Sequence, residues 1–140
     1  MILLVEDNDD DAALILRILR RQLPDTEILV AGDGSEALEL IGKQGERELQ
    51  LVLLDVHLPR ISGLQVLEEL RKSPLTRRVP VVMLSGSKHH SDVLRSYDLG
   101  ANSFLLKAEQ AEQLEATIQE IVPYWLHLNH TLSAPGSLYR

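Results

Sequence analysis

The sequence contains no cysteine, which excludes disulfides, thiolate nucleophiles and thiolate metal sites and fits a reducing compartment. Cations are scarce as well: 14 Lys and Arg stand against 21 Asp and Glu, for a formal net charge of -7. Gripping nucleic-acid phosphates needs clustered basic residues, so the expected partner is a protein or a cation and not a nucleic acid. Long hydrophobic runs are missing too. The opening apolar stretch Ile2 to Val5 is too short for the core of a signal peptide and is closed by Glu6 and Asp7. No stretch approaches the roughly 20 apolar residues that span a bilayer. No membrane association and a cytoplasmic location are therefore expected. There is no internal repeat, linker or low-complexity segment, and 140 residues with 44% hydrophobic content suit a single domain.

What is present is an alternation. Short apolar runs recur at Ile2 to Val5, Ile28 to Ala31, Leu51 to Leu54, Val81 to Leu84 and Phe104 to Leu106. They lack polar alternation, as strands covered by helices on both faces do. Between them lie amphipathic stretches. Ala12 to Arg21 places Leu14, Ile15, Ile18 and Leu19 at helical spacing. Asp33 with Glu36 predicts the start of a second helix, with Gly42 near its end. Ser62 can cap a third, carrying Leu64, Leu67 and Leu70 before Ser73-Pro74. A fourth is expected from His89 to Leu99, closed by Gly100, and a fifth from near Glu109, presenting Leu114, Ile118, Ile121 and Trp125. Strand and helix alternating in this way predict an open, doubly wound α/β sheet.

Ligands of such sheets lie beyond the carboxyl ends of the strands, so the residues just after each apolar run carry the information. Those residues are Glu6 and Asp7, then Asp55, then Ser85 and Gly86, and finally Lys107. Singly, each has an ordinary explanation: acids near a helix start, a turn former, a loop hydroxyl, a solvated lysine. Together, three carboxylates at one sheet edge repel one another unless a cation lies between them. Oxygen ligands favour Mg2+ or Mn2+, and Mg2+ commonly shares its shell with phosphate oxygens. Asp55 is then the candidate nucleophile for a phosphoryl group. Lys107 would balance the phosphoryl charge, Ser85 would donate a hydrogen bond to it, and Gly86 would leave room for it.

These residues resemble the receiver domain of two-component response regulators. The resemblance runs from Ile2 to about Val122. It rests on Leu4-Val5-Glu6-Asp7, on Leu53-Leu54-Asp55-Val56-His57-Leu58-Pro59, on Ser62-Gly63, on Ser85-Gly86, on Lys107 and on the aromatic Phe104. It implies a flavodoxin-like sheet of five parallel strands in the order 2-1-3-4-5 with five helices, and a histidine kinase as phosphoryl donor. It further implies Asp55 as phosphoacceptor and direct metal ligation by Asp7 and Asp55. Glu6 would help through water, and the backbone carbonyl of His57 would be a further ligand. Ser85 and Phe104 would form the switch, and His57 and Ser87 would tune phosphoryl lifetime. No enzyme activity is implied beyond magnesium-dependent self-phosphorylation and self-dephosphorylation. One departure stands out: the family usually has a cis proline after the lysine, and here Ala108 follows. Either that bond is cis at an expense of roughly 2.5–4 kcal/mol, or the loop takes another shape.

After Val122 there is no room for a DNA-binding output module, so residues 1–127 are read as the receiver and 128–140 as a tail without an output domain. Output would pass through the domain's own surface. The apolar Tyr124, Trp125 and Leu126 are candidates for a homodimer contact, against folding back on the same chain. This ending and Ser96-Tyr97-Asp98-Leu99 are similar to stand-alone regulators partnered with bacterial phytochrome kinases. A phosphorylation-independent pseudo-receiver and a phosphate sink are the competing readings. An aspartyl-phosphate phosphatase would need a carboxylate where His57 stands.

Overall fold

The computed structural model describes residues 1–45, 47–86 and 89–130. Ser87 and residues 131–140 of the expected tail lie outside the described residues. Five strands, β1 (Ile2–Val5), β2 (Ile28–Ala31), β3 (Leu51–Asp55), β4 (Val81–Ser85) and β5 (Ser103–Leu106), alternate with five helices. The helices are α1 (Asp9–Gln22), α2 (Gly34–Lys43), α3 (Gly63–Lys72), α4 (His90–Asp98) and α5 (Ala111–Pro123). The strands pair in parallel in the order β2-β1-β3-β4-β5. All five apolar runs are strands, within one residue of their expected limits.

Strand periodicity divides the core in two. Leu3, Val5, Val52, Leu54, Val81 and Met83 face Leu64, Val66, Leu67 and Leu70 of α3 and its surroundings. Ile2, Leu4, Leu51, Leu53, Val82 and Leu84 face Ile15, Ile18 and Leu19 of α1 and Leu114, Ile118 and Val122 of α5. The central strands β1, β3 and β4 are buried throughout, which is why their sequences do not alternate in polarity.

Helix starts follow local chemistry. Asn8 caps α1 by accepting the Asp11 N–H, and Asp33 caps α2 by accepting that of Glu36. The Glu36 carboxylate goes to the Gly32 N–H instead of closing a reciprocal box, whereas Ser62 and Gln65 form a complete one on α3. Gly42 lies inside α2, and the left-handed residue beyond that helix is Gly45. Gly100 does close α4 as expected, with φ +102° and the Ala101 N–H bonded to the Ser96 carbonyl. The buried stripe of α5 is Leu114, Ile118 and Val122, while Ile121 and Trp125 pack only partly against that core.

Pro123 neither stops nor sharply ends α5; the chain continues as a π-helical turn, Tyr124–Leu128. Proline has no N–H for the carbonyl four residues earlier. That carbonyl, of Gln119, instead accepts the Gln22 side-chain amide from α1 at 3.1 Å. The wider turn closes with the Asn129 N–H on the Tyr124 carbonyl at 2.7 Å.

At the end of the sheet opposite the strand-end acids, Arg71 ties three segments together. Its guanidinium donates to the carbonyls of Gly100 (2.7 and 2.9 Å) and Val79 (2.8 Å) and to Asn102 Oδ1 (3.0 Å). Asn102 in turn accepts the Val81 N–H at the start of β4. Arg71→Ala strips partners from these carbonyls and is expected to lower the unfolding free energy by about 2–3 kcal/mol in urea titration. Arg71→Lys is expected to recover less than half of that, because a point ammonium cannot span the fork. Equal stability of Arg71→Lys and wild type would contradict this role.

Candidate functional site

The in-register pairing of β1 with β3, which sets Val5 opposite Leu54, puts the next residues, Glu6 and Asp55, side by side. Both are buried, at 4% and 7% exposure, while Asp7 is exposed. The three carboxylates offer oxygens that all lie within 4.8 Å of one another. Asp55 is held from its own loop by the His57 N–H on Oδ1 at 3.1 Å. Two glycines permit this packing. A Cβ on Gly63 would lie 1.9 Å from the Asp55 carbonyl oxygen, and one on Gly34 would lie 2.2 Å from that of Ile61 in the loop before α3. Arg60 in the same loop adopts φ 66°, the left-handed region, where a side chain other than that of Gly or Asn is uncommon.

Lys107 reaches the acids from β5. Its backbone N–H bonds to the Ser85 carbonyl at 2.6 Å, and its ammonium contacts Glu6, Asp11 Oδ2 (3.1 Å) and Asp55 Oδ2 (3.4 Å). The described residues contain no cis peptide bond, so Lys107-Ala108 is trans: the loop takes another shape than the family's usual one, yet the ammonium still reaches the acids. Burial, and then the neighbouring Asp55 carboxylate, push the Glu6 carboxyl up to about 8 despite the opposing pull of Lys107. Burial works against the Lys107 ammonium, but Glu6, Asp55 and Asp11 outweigh it and hold its pKa above the ordinary lysine value.

The rest of the expected set is spread around this centre. Ser85 is fully buried at the end of β4, in register with Leu106. Gly86 is exposed, and a Cβ there would meet nothing within 4 Å, so the space beside it is open without requiring glycine. Phe104 is half-buried against the α3-side core, and its N–H donates to the Tyr97 hydroxyl of α4 at 3.2 Å. Tyr124, Trp125 and Leu126 are not part of the site. Tyr124 is exposed, while Trp125 and Leu126 are partly buried against the chain's own α1 and α5 core, with Tyr124 and Trp125 edge to face at 5.0 Å.

Two residues escaped the sequence reading. Asp11 joins Lys107, and Asp92 of α4 lies 3.1 Å from His57 Nε2, linking the loop after Asp55 to α4. Asp11 had a signal: it sits four residues before Ile15, a charge on the stripe of α1 that turns inward. Asp92 had none, since its partner lies across two loops.

The oxygen-only acidic trio, buried on two sides and open at Asp7, fits a divalent cation. Without one, Glu6 binds its proton more tightly in the folded chain than in the unfolded one. It therefore favours folding fully below about 4.5, and that contribution is lost as pH rises through about 8. In the metal-free protein Tm is expected to fall across this window, and Glu6→Gln to flatten the fall in thermal unfolding. A wild-type profile that parallels that of the variant would contradict the raised Glu6 pKa.

A family model of the response regulator receiver domain matches residues 2–119. Over 141 residues the chain is 37% identical to the response regulator Rcp1 of Synechocystis sp. PCC 6803, covering 98% of this chain and 94% of that protein. Among solved structures, the phosphorylated cyanobacterial phytochrome response regulator RcpA superposes with a TM-score of 0.87 at 35% identity, covering 94% of this chain and 97% of RcpA. The Mn2+-bound form of Rcp1 gives a TM-score of 0.84 at 34% identity, over 94% of this chain and 98% of that one. The likeness extends through the whole sheet and its helices, and the chain belongs to the response regulator receiver domains, the phosphoacceptor modules of two-component signalling.

Proposed function

We propose that Asp55 is the residue that takes the phosphoryl group, from a histidine kinase, and that Glu6, Asp7, Asp55 and the backbone carbonyl of His57 hold Mg2+, with Mn2+ able to replace it. One observation carries this reading: Asp55 is the member of the acidic trio, at the end of the central strand, that touches Lys107 on one oxygen and the His57 N–H on the other. Its carboxylate attacks phosphorus while the P–N bond of the donor breaks and the imidazole keeps the electron pair and regains a proton. Held by Glu6, Asp7, Asp55 and the His57 carbonyl, a divalent ion would supply positive charge to the acids and the phosphoryl oxygens. Lys107 supplies the remaining positive charge, and Ser85 donates its hydroxyl hydrogen to a phosphoryl oxygen. His57 and Ser87 tune the lifetime of the acyl phosphate, and besides transfer from the kinase the chain carries out self-phosphorylation from small donors and self-dephosphorylation.

The new charge of about -1.5 to -2 draws Ser85 toward Asp55. Phe104 lies two residues before Leu106, the β5 neighbour of Ser85, and follows it inward; the Tyr97 hydroxyl on its N–H carries the change to α4. Residues 1–127 act as the receiver, in the cytoplasm. The likeness to Rcp1 and RcpA supports a bacterial phytochrome as the kinase. A homodimer would use Tyr124 with the edges of Trp125 and Leu126. The assembled acids and lysine speak against a pseudo-receiver, since a module without phosphoryl chemistry has no need of them in contact.

Incubation with Mg2+ and phosphoramidate or acetyl phosphate is expected to add the mass of one phosphoryl group, alkali-labile and absent from Asp55→Asn. Sedimentation before and after is expected to show a dimer that Tyr124→Ala weakens. A folded wild type that gains no adduct from either donor would sink Asp55 as acceptor, and an unchanged monomer would sink the dimer.

A further inference from the structure

Lys107 presents a problem that its own backbone does not solve. β5 ends at Leu106, the peptide bond to Ala108 is trans, and the lysine stem has four rotatable carbons. Its ammonium has three N–H donors and, in this structure, three carboxylate partners: Glu6, Asp11 and Asp55. Glu6 and Asp55 belong to the trio whose oxygens lie within 4.8 Å of one another, and Asp11 does not. When a cation and a phosphoryl group occupy the oxygens of Glu6 and Asp55, Asp11 is the partner of Lys107 that remains uncommitted.

Asp11 is itself well placed for such a task. Its N–H is bound by the Asn8 side chain at 2.9 Å, which pins the first turn of α1. Its carboxylate comes from the α1 side of the sheet, the side toward which the alternation of Leu51, Leu53 and Asp55 on β3 and of Leu105 and Lys107 on β5 also points. The Lys107 side chain is 12% exposed and that of Asp11 34%, so the pair is partly shielded from water. Asp10, one residue earlier on the same turn, is exposed and serves as a control of equal charge.

We propose that Asp11 is a positioning residue: it holds the Lys107 ammonium at the rim of the site and keeps it aimed at the phosphoryl group on Asp55, replacing the restraint that a proline at position 108 would give. The proposal rests on Asp55 being the acceptor. The test is a double-mutant cycle in the full chain, with Asp11→Ala and Asp11→Asn each made in the wild-type and Lys107→Ala backgrounds, and Asp10→Asn as control. Phosphorylation by phosphoramidate at saturating Mg2+ is timed by intact mass.

Asp11→Ala is expected to slow the reaction about tenfold in the wild type and less than about twofold once Lys107 is gone. Asp11→Asn, which keeps an acceptor oxygen without the charge, falls between, and Asp10→Asn stays within about twofold of wild type. In the metal-free proteins the Tm changes of Asp11→Ala and Lys107→Ala are expected to be non-additive, a readout independent of phosphoryl transfer. An unchanged rate for Asp11→Ala, or the same fold-loss in both backgrounds, overturns the proposal. If Lys107→Ala reacts too slowly to time, additive Tm changes overturn it alone. A wild type that takes no phosphoryl group at all would instead count against Asp55 as acceptor, leaving the metal-free cycle to decide on Asp11.

Discussion

The site depends on the parallel register of β1 on β3. Because Val5 stands opposite Leu54, the next residue on each chain, Glu6 and Asp55, is a carboxylate, and the two come side by side on one face of the sheet. Two buried acids at such proximity are unfavourable by themselves, as the raised Glu6 pKa records. A one-residue slip of either strand would turn one carboxylate to the other face and relieve the repulsion at the expense of the buried Leu and Val rows. The hydrophobic core on both faces thus holds together an electrostatic arrangement that would otherwise separate.

From that constraint the roles of the other elements follow. β4 lies beside β3 and brings Ser85 to the same edge; β5 lies beside β4 and delivers Lys107, whose N–H is anchored on the Ser85 carbonyl. Lysine is the cation that the fold itself supplies to the acids, and Asp11 and Asp55 share it with Glu6. The loop after β3 is bound on both sides. Gly63 lets its return pass against the Asp55 carbonyl, and His57 bridges it to Asp92 on α4. Two contacts thus join this edge of the sheet to α4, that of His57 with Asp92 and the bond from the Phe104 N–H to the Tyr97 hydroxyl.

Much of this was legible in the sequence because it is local. Unbroken apolar runs marked the buried strands, and caps such as Asp33 and Ser62 marked helix starts. The strand-end rule then assembled Glu6, Asp7, Asp55, Ser85 and Lys107 without any contact being known. What was not legible depends on long-range geometry. Arg71 is held by the backbone carbonyls of Val79 and Gly100, which carry no sequence signal, as well as by Asn102, and Gly42 does stand near the end of α2 as expected, with the left-handed turn falling beyond it at Gly45. The turn after Pro123 required knowing that Gln22 of α1 would take over the orphaned Gln119 carbonyl. Trp125 and Leu126 pack partly against the α1 and α5 core, which is the folding-back alternative weighed beside a dimer contact, and Tyr124 stays exposed.

Whether the register of two strands builds a cation site from repelling acids is decided by calorimetric titration of Mg2+ into the metal-free protein. Saturable binding of a single ion per chain is expected, weakened in Asp7→Asn and in Asp55→Asn while both variants keep the wild-type fold. Heat that never saturates, or an affinity indifferent to both substitutions, would contradict it.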